Sequence, residues 1–401
     1  MSARKAILIL SIIVFFSACN QLTPQSGAPA LMDEGSPEFT ATIVPTATHP
    51  AILPTATVVD LSTPTLNPYP ISTAQPTDTG VADQPLNPLT GLAVSDPEIL
   101  NRRPVMVKFA NWPREERPQA GLRQADIVFE YYIGHQMNQF LALYYGGNAE
   151  VVGPVRSGQL VDAQLASFYQ GFLVYGNAAL AADEVIAEDL GPRGLKFSDL
   201  PCPPLCGLDA LSGDAFVDTA ALTDYVNQIG LANERPDLDG IAFQEEPPRG
   251  DGSGEVLQVA YADFSIMQWR YDEDTKSYSL WTESEGEDGL TLAPMTDRND
   301  SQMLRFENIV VLYATYKSYT DTLHDILLSD QTGYQGMLLF RDGETSFGNW
   351  RTPELDQPIR FETPAGEALP LKPGKTWVVI VGQSSITNQM GGGEWEIGFG
   401  E

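Results

Sequence analysis

A Thr- and Pro-rich stretch without basic residues lies near the start of the chain and limits how much of it can fold. Between Ala6 and Asn101 there is no Lys or Arg, and the motif Pro-Thr-Ala-Thr occurs at 45–48 and again at 54–57. Such a segment has too few aromatic and aliphatic side chains to offset the entropy lost on ordering. Proline favours the extended polyproline II conformation, so we expect a disordered, semi-stiff linker that ends near residue 86.

The residues before this linker have the pattern of an export signal. The basic pair Arg4-Lys5 precedes an apolar run, Ala6–Phe16, which is shorter than the roughly 20 residues that a bilayer span needs. We therefore predict that 1–18 is a signal peptide and that the chain is exported.

The signal ends in small residues directly before a cysteine, Ser17-Ala18-Cys19, which resembles the bacterial lipobox. In that motif the cysteine becomes the first mature residue and carries diacylglycerol, so the segment 19–86 is interpreted as a lipidated Cys19 followed by the linker. Two acyl chains anchor a protein stably. The expected location is the outer face of the bacterial cytoplasmic membrane. An ordinary signal peptide, with Cys19 incidental, is the alternative.

The charge balance excludes one class of partner. The chain has 23 Lys and Arg against 53 Asp and Glu, a net charge of −30. Nucleic-acid binding requires a basic surface, so we expect no nucleic-acid partner. Removal of Arg4 and Lys5 with the signal leaves a net charge of −32, which anionic lipid repels. The lipid, and not charge, is therefore expected to hold the protein at the membrane.

Two regions after the linker have the composition of folded domains. The first, 87–243, alternates β-rich runs with helical spacing, which predicts an α/β (or α+β) domain. Its predicted strands include 105–107, 125–132, 140–145 and 172–175, and its predicted helices are 160–170, 178–190 and 219–231.

The second region, 255–383, has mostly strand patterns, which predicts a β-dominated domain. Its predicted strands are 258–271, 277–281, 309–313, 337–340 and 376–381, and Asp342-Gly343 indicates a hairpin turn. A segment rich in Gly and Pro, 244–254, is interpreted as a hinge between the two domains, and 384–401 as a Gly-rich tail.

Several motifs resemble the YerB-like family of bacterial lipoproteins, which is defined by a domain of unknown function, DUF3048. The resemblance covers about 87–382. It rests on the strings Asn87-Pro88-Leu89-Thr90-Gly91-Leu92, Arg117-Pro118-Gln119-Ala120-Gly121-Leu122, Gly153-Pro154-Val155-Arg156-Ser157, Leu339-Phe340-Arg341-Asp342-Gly343 and Pro370-Leu371-Lys372-Pro373-Gly374-Lys375-Thr376-Trp377, among others. The family usually begins with a lipobox, which supports lipidation of Cys19. Because the family's activity is undefined, the resemblance implies architecture and location, and no chemistry.

The sharpest candidate for a ligand site is Gly153-Pro154-Val155-Arg156-Ser157-Gly158. A turn between a strand and a helix presents backbone amides. Together with the guanidinium group of Arg156 and the hydroxyl of Ser157, these amides can bind an anion or a carboxylate. Glu130, read as the end of a strand, and Asp162 and Asn177 in the same neighbourhood complete the candidate ligand-binding set. Alternatively, Arg156 pairs with Glu130 or Asp162 and only braces the fold.

The sequence indicates no metal or cofactor. It contains no His-Glu-x-x-His and no Cys-x-x-Cys, and the acidic runs 272–274 and 297–300 offer oxygen ligands for Ca²⁺ without matching an EF-hand. Lys375 lies in Gly374-Lys375-Thr376, which lacks the earlier Gly of a phosphate loop, so no nucleotide is expected. Cys202 and Cys206 are expected to form a disulfide outside the cytoplasm.

These observations favour a membrane-anchored body that binds a cell-wall polymer or an envelope protein near Glu130 and Arg156. The alternative is an envelope hydrolase or transferase that acts on a phosphate- or carboxylate-bearing substrate, with Arg156 as the anion clamp and Glu130 or Asp162 as the general base. No nucleophile motif is present, so catalytic residues are not identified. A purely structural adhesive spacer is a third interpretation.

Overall fold

The computed structural model of the chain describes residues 84–208, 213–286, 289–321, 323–329 and 335–401. Most of the signal and linker predictions, including Cys19, lie outside the described residues. The helices are α1 Leu160–Phe168, α2 Leu180–Leu190 and α3 Thr219–Gln228. They match the three helices predicted from sequence, each within a few residues.

Within the described residues, the first region combines seven strands with the three helices. They are β1 Val105–Ala110, β2 Ile127–Gly134, β3 Met137–Tyr144, β4 Phe172–Tyr175, β5 Gly194–Lys196, β6 Leu205–Cys206 and β7 Phe216–Val217. The α/β character expected of this region is confirmed.

Strands make up nearly all of the regular structure that follows. They are β8 Gly252–Ser253, β9 Val256–Ala262, β10 Ser265–Asp272, β11 Ser277–Gly286, β12 Gly289–Pro294, β13 Arg305–Phe306, β14 Asn308–Thr320, β15 Leu323–Leu327, β16 Gly336–Arg341, β17 Glu344–Arg351, β18 Arg360–Glu362, β19 Thr376–Gly382, β20 Ile386–Gly391 and β21 Glu394–Gly398. The β-rich second part is therefore confirmed.

The larger sheet is built from both regions. Its strand order is β18-β17-β16-β14-β19-β2-β3-β1-β4-β5, and β15 and β8 pair with β14 and β17. β19 pairs in parallel with β2, with Trp377 opposite Val128 and Val379 opposite Glu130. The expected division between 87–243 and 255–383 therefore does not separate the sheets.

The predicted hinge and tail are also parts of the sheets. In the hinge, Gln244 N–H donates to the carbonyl of Leu371 and Asp251 N–H donates to that of Thr345. The tail forms the hairpin β20–β21, and β21 pairs in parallel with β9. Backbone hydrogen bonds and the short strand β8 thus attach the segment 244–254 to the larger sheet, and the tail adds two strands to the second sheet.

The second sheet packs on one face of the first, and α1 and α2 cover the other face. Its strand order is β12-β11-β10-β9-β21-β20, with β13 added beside β11. Val107 and Phe109 of β1 share a buried cluster with Trp269 of the second sheet. Met106, which directly precedes Val107, joins Leu165 of α1 in a separate cluster. This alternation follows from the two-residue period of a strand, and it buries β1 on both faces.

Candidate functional site

Arg156 lies in the segment between β3 and α1, held against β1 by a hydrogen bond from its N–H to the carbonyl of Lys108. Its side chain forms a two-pronged ion pair with Glu116: Nε lies 2.9 Å from Oε2, and Nη2 contacts Oε1. Both residues are buried, at 8% and 9% exposure. The partner is therefore neither Glu130 nor Asp162, the two expected from sequence, because Glu116 belongs to a loop whose position the sequence pattern does not reveal.

Glu130 lies inside β2 and not at its end, since the strand continues to Gly134. Its side chain faces the second sheet and is fully buried. The carboxylate accepts hydrogen bonds from Asn138 Nδ2 at 2.6 Å and from Trp377 Nε1 at 2.7 Å. Burial outweighs these bonds and raises the pKa of Glu130 to about 7.

Asp162 lies on the opposite side of the larger sheet, in the first turn of α1. It accepts hydrogen bonds from the Tyr131 hydroxyl and from the N–H of Gln159, at 2.7 Å for the latter. Lys108 contacts the same hydroxyl and lies 3.7 Å from Asp162 Oδ1. Asp162 and Lys108 are both fully buried, and burial lowers the pKa of Lys108 to about 8. The cluster fixes the start of α1 on β1 and β2.

Ser157 and Asn177 form a third, separate pair. The Ser157 hydroxyl donates to Asn177 Oδ1 at 2.5 Å, and the N–H of Gly158 donates to the Asn177 carbonyl at 2.7 Å. The structure thus brings Ser157 and Asn177 together but gives Arg156, Glu130 and Asp162 different partners.

A cleft with different residues opens at one end of the second sheet. Its walls are the segment 112–119, which follows β1, the end of β11 at 282–285, and 293–296, and its volume is about 640 Å³. This size lies within the usual range of ligand pockets, roughly 300 to 1,000 Å³. None of the predicted site residues lines this cleft.

Arg117 and Glu283 form the base of the cleft. Arg117 Nη2 lies 2.9 Å from Glu283 Oε1, and its Nη1 donates to the backbone carbonyl of Glu283 at 2.9 Å. Arg117 Nε donates to the carbonyl of Asn111, also at 2.9 Å. Glu283 is almost fully buried, at 1% exposure. A buried pair with this many contacts holds the 112–119 segment onto β11.

Trp112 forms an aromatic wall beside this ion pair. The guanidinium groups of Arg114 and Arg117 lie 4.5 and 5.2 Å from its ring centroid, and Phe264 meets it edge-on at 5.8 Å. Cation–π contacts of this kind contribute about 0.5 to 2 kcal/mol each, depending on desolvation. The wall is therefore held in place by contacts on several sides.

Hydrogen bonds lead from the cleft to Glu130. Arg117 binds the Asn111 carbonyl, the Asn111 amide donates to Asn138 Oδ1 at 2.7 Å, and Asn138 in turn donates to Glu130. Sequence reasoning missed the cleft. A signal was present, since Trp112 with two arginines in a Pro-flanked loop is unusual in a chain with only 23 basic residues.

The described residues were also expected to include possible calcium ligands and a disulfide. Among those residues, no three His, Cys, Asp or Glu side chains are grouped to hold a metal. In the acidic run 297–300, the Asp297 carboxylate instead accepts from the N–H groups of Gly121, Arg123 and Asn299. A disulfide bond joins Cys202 and Cys206. No helix in the described ranges is long and apolar enough to cross a membrane.

Comparison with known proteins agrees with the family resemblance that the sequence motifs indicate. Residues 89–198 match the N-terminal domain, and 257–378 the C-terminal domain, of a protein family of unknown function, DUF3048. The chain is 27% identical over 307 residues to the "Putative lipoprotein YerB" of Bacillus subtilis (strain 168), covering 73% of this chain and 85% of that protein.

The fold is similar to a solved structure. The crystal structure of the YerB protein from Bacillus subtilis matches with a TM-score of 0.62 at 24% identity, covering 74% of this chain and 97% of that one. At this identity the match shows the fold alone. The resemblance noted from the sequence motifs is confirmed, and the chain belongs to the DUF3048 family of YerB-like proteins.

Proposed function

We propose that the protein is an exported lipoprotein, anchored through Cys19, whose folded body binds an envelope polymer in the cleft between 112–119 and β11. The observation that carries this proposal is the cleft itself, a cavity of about 640 Å³ built on the Arg117–Glu283 pair. Ligand sites are typically concave and carry a few fixed polar groups. The linker before residue 87 would let the body reach away from the membrane.

The alternative function, an envelope enzyme using Arg156 with Glu130 or Asp162, has less support. A general base has to come within hydrogen-bond reach of its substrate. Glu130 and Asp162 are both fully buried, on opposite faces of the larger sheet, and Arg156 is closed in its pair with Glu116. Binding in the cleft requires no rearrangement of these groups.

The anchor is tested by mass spectrometry of the mature N-terminus. We expect a chain that begins at Cys19 and carries the mass of a diacylglycerol group. A mature chain that starts elsewhere, or an unmodified Cys19 thiol, would rule out the anchor without affecting the cleft.

The cleft is tested by binding of the detergent-solubilised full chain to isolated envelope polymers. Ser284→Trp places a large side chain in the cleft, so we expect it to weaken binding at least about tenfold, or about 1.4 kcal/mol. Asn388→Trp, on the exposed strand β20 of the same sheet, is the matched control and should bind as the wild type does. Equal binding by the wild type and Ser284→Trp would refute the cleft as the ligand site.

A further inference from the structure

We infer that the cleft recognises a neutral, hydroxyl-bearing glycan, an inference that rests on the proposed binding function and narrows its ligand. Three other ligand classes, namely anionic polymers, cationic ligands and extended peptides, fit the cleft less well. Each requires free charged groups, a matching set of polar atoms or an open strand edge that the cleft does not provide.

An anionic polymer needs free guanidinium groups, and both arginines of the cleft are engaged. Arg117 uses Nε, Nη1 and Nη2 on Asn111 and Glu283. Arg114 donates through Nη2 to the carbonyl of Phe264 at 2.9 Å, and its Nε lies 3.5 Å from Glu283 Oε1. A phosphate would have to displace these partners to gain its usual two-pronged contact.

The charge of the cleft also disfavours an anion. Two arginines line it, against the three carboxylates of Glu115, Glu283 and Glu285. The whole chain has a net charge of −30, which repels a polyanion at long range. A ligand without net charge meets neither penalty.

Outside the Arg–Glu ion pairs, the cleft-lining residues contain two buried polar atoms that a ligand would satisfy. The indole Nε1 of Trp112 and the Oε1 of Gln119 have no hydrogen-bond partner within the described ranges, although both are buried. One is a donor and the other an acceptor. A hydroxyl group satisfies both kinds because it donates and accepts, whereas an ammonium only donates and an ionised phosphate oxygen only accepts. A sugar, with several hydroxyls, therefore fits better than a cationic ligand.

An extended peptide would normally add to a free strand edge. β11 pairs with β12 on one side at this level, with Glu283 opposite Leu292. On the other side, Arg117 Nη1 occupies the carbonyl of Glu283. Neither edge of β11 is open to an added strand at the cleft. In β12, the edge strand of this sheet, the cleft-lining Pro294 has no N–H to pair with an added strand. Both observations favour a glycan over a peptide as the occupant.

The test uses the detergent-solubilised full chain and four probes: N-acetylglucosamine oligosaccharides, polyphosphate, polylysine and an extended peptide. We expect binding of the oligosaccharides, nearly unchanged between about 50 mM and about 500 mM salt because no charge is neutralised. Trp112→Phe and Gln119→Met each remove one polar group and should weaken binding by about 3- to 10-fold. Gln268→Met, on the same sheet outside the cleft, is the matched control and should have no effect.

Each remaining outcome overturns the inference. Salt-sensitive binding of polyphosphate or polylysine alone, or binding of the peptide alone, would reject a neutral glycan. If Ser284→Trp still abolished that binding, the proposed function would stand with a different ligand. If the oligosaccharides bound equally to the wild type and Ser284→Trp, the cleft itself would be rejected. Thermal unfolding of every variant shows whether a loss of binding reflects a loss of folding.

Discussion

The Glu130 carboxylate accepts a hydrogen bond from the indole Nε1 of Trp377 at 2.7 Å, across the junction where β2 meets β19. The two residues come from the N-terminal and C-terminal regions of the family, and both are fully buried. The bond therefore links the two family regions inside the layer between the sheets.

The buried position of Glu130 predicts a pH dependence of stability. Burial raises its pKa from 4.5 to about 7, so the folded protein binds this proton more tightly than the unfolded chain does. The resulting stabilisation is complete below pH 4.5 and is lost as the pH rises through 7. Between pH 5 and pH 8 the loss amounts to about 2 to 3 kcal/mol.

Urea unfolding of the wild type and Glu130→Gln at several pH values checks this expectation. The glutamine cannot ionise, so the difference in the free energy of unfolding between the two proteins should change by that amount from pH 5 to pH 8. Parallel curves for the two proteins would show that Glu130 ionises normally in the folded state.

The Arg156–Glu116 pair predicts a loss of stability on substitution of either member. Arg156→Ala leaves Glu116 with a buried charge and no matching cation, which typically costs about 3 to 5 kcal/mol. The double variant Arg156→Met/Glu116→Leu removes both charges and should recover most of this loss. Guanidinium unfolding measures both effects. A double variant no more stable than Arg156→Ala would contradict this account.

The contacts of Asp297 predict that its substitution lowers the stability of the protein more than substitution of the neighbouring Asp300 does. Its carboxylate accepts from three backbone N–H groups, so Asp297→Ala leaves buried donors unpaired and should lower the free energy of unfolding by more than about 3 kcal/mol. Asp300 forms an ion pair with the partly exposed Arg123, and Asp300→Ala should cost less than about 1 kcal/mol. Equal losses of stability in the two variants would mean that the three hydrogen bonds of the Asp297 carboxylate do not stabilise this loop.

Removal of the Cys202–Cys206 disulfide is expected to lower the free energy of unfolding only slightly, because the bond closes a ring of only five residues. On the chain-entropy model, such a ring contributes about 2 kcal/mol. Cys202→Ala/Cys206→Ala should therefore remain folded, with a free energy of unfolding lower by no more than that amount. Loss of the folded state in the double variant would mean that the bond supports more than its own loop.

The elements that sequence reasoning predicted well are those with strong local signals. The α1 helix has a periodic apolar pattern, and the hairpin at Asp342-Gly343 has turn chemistry that fixes its position. The predicted strand 258–271 is instead two strands, β9 and β10, joined at Asp263-Phe264. Buried residues alternate with the same phase in β9 and β10, so the pattern does not show the reversal at the turn.

The site was harder to predict because its contacts connect distant parts of the chain. Arg156 was predicted to bind a ligand or to pair with Glu130 or Asp162, whereas its partner, Glu116, is 40 positions away in an irregular loop. Lys108 was missed because a lysine inside the apolar run of β1 gives no indication of which acid it meets. Pairing across a fold depends on topology, which local patterns do not encode.

The parallel pairing of β2 with β19 has a consequence for how the chain is made. Ile127 meets Thr376, which is synthesised about 250 residues later. Until then β2 has one edge without its final neighbour, and such edges promote aggregation. A chain truncated before Thr376 should therefore leave this edge of β2 exposed and aggregate, and it should not fold into a smaller functional protein.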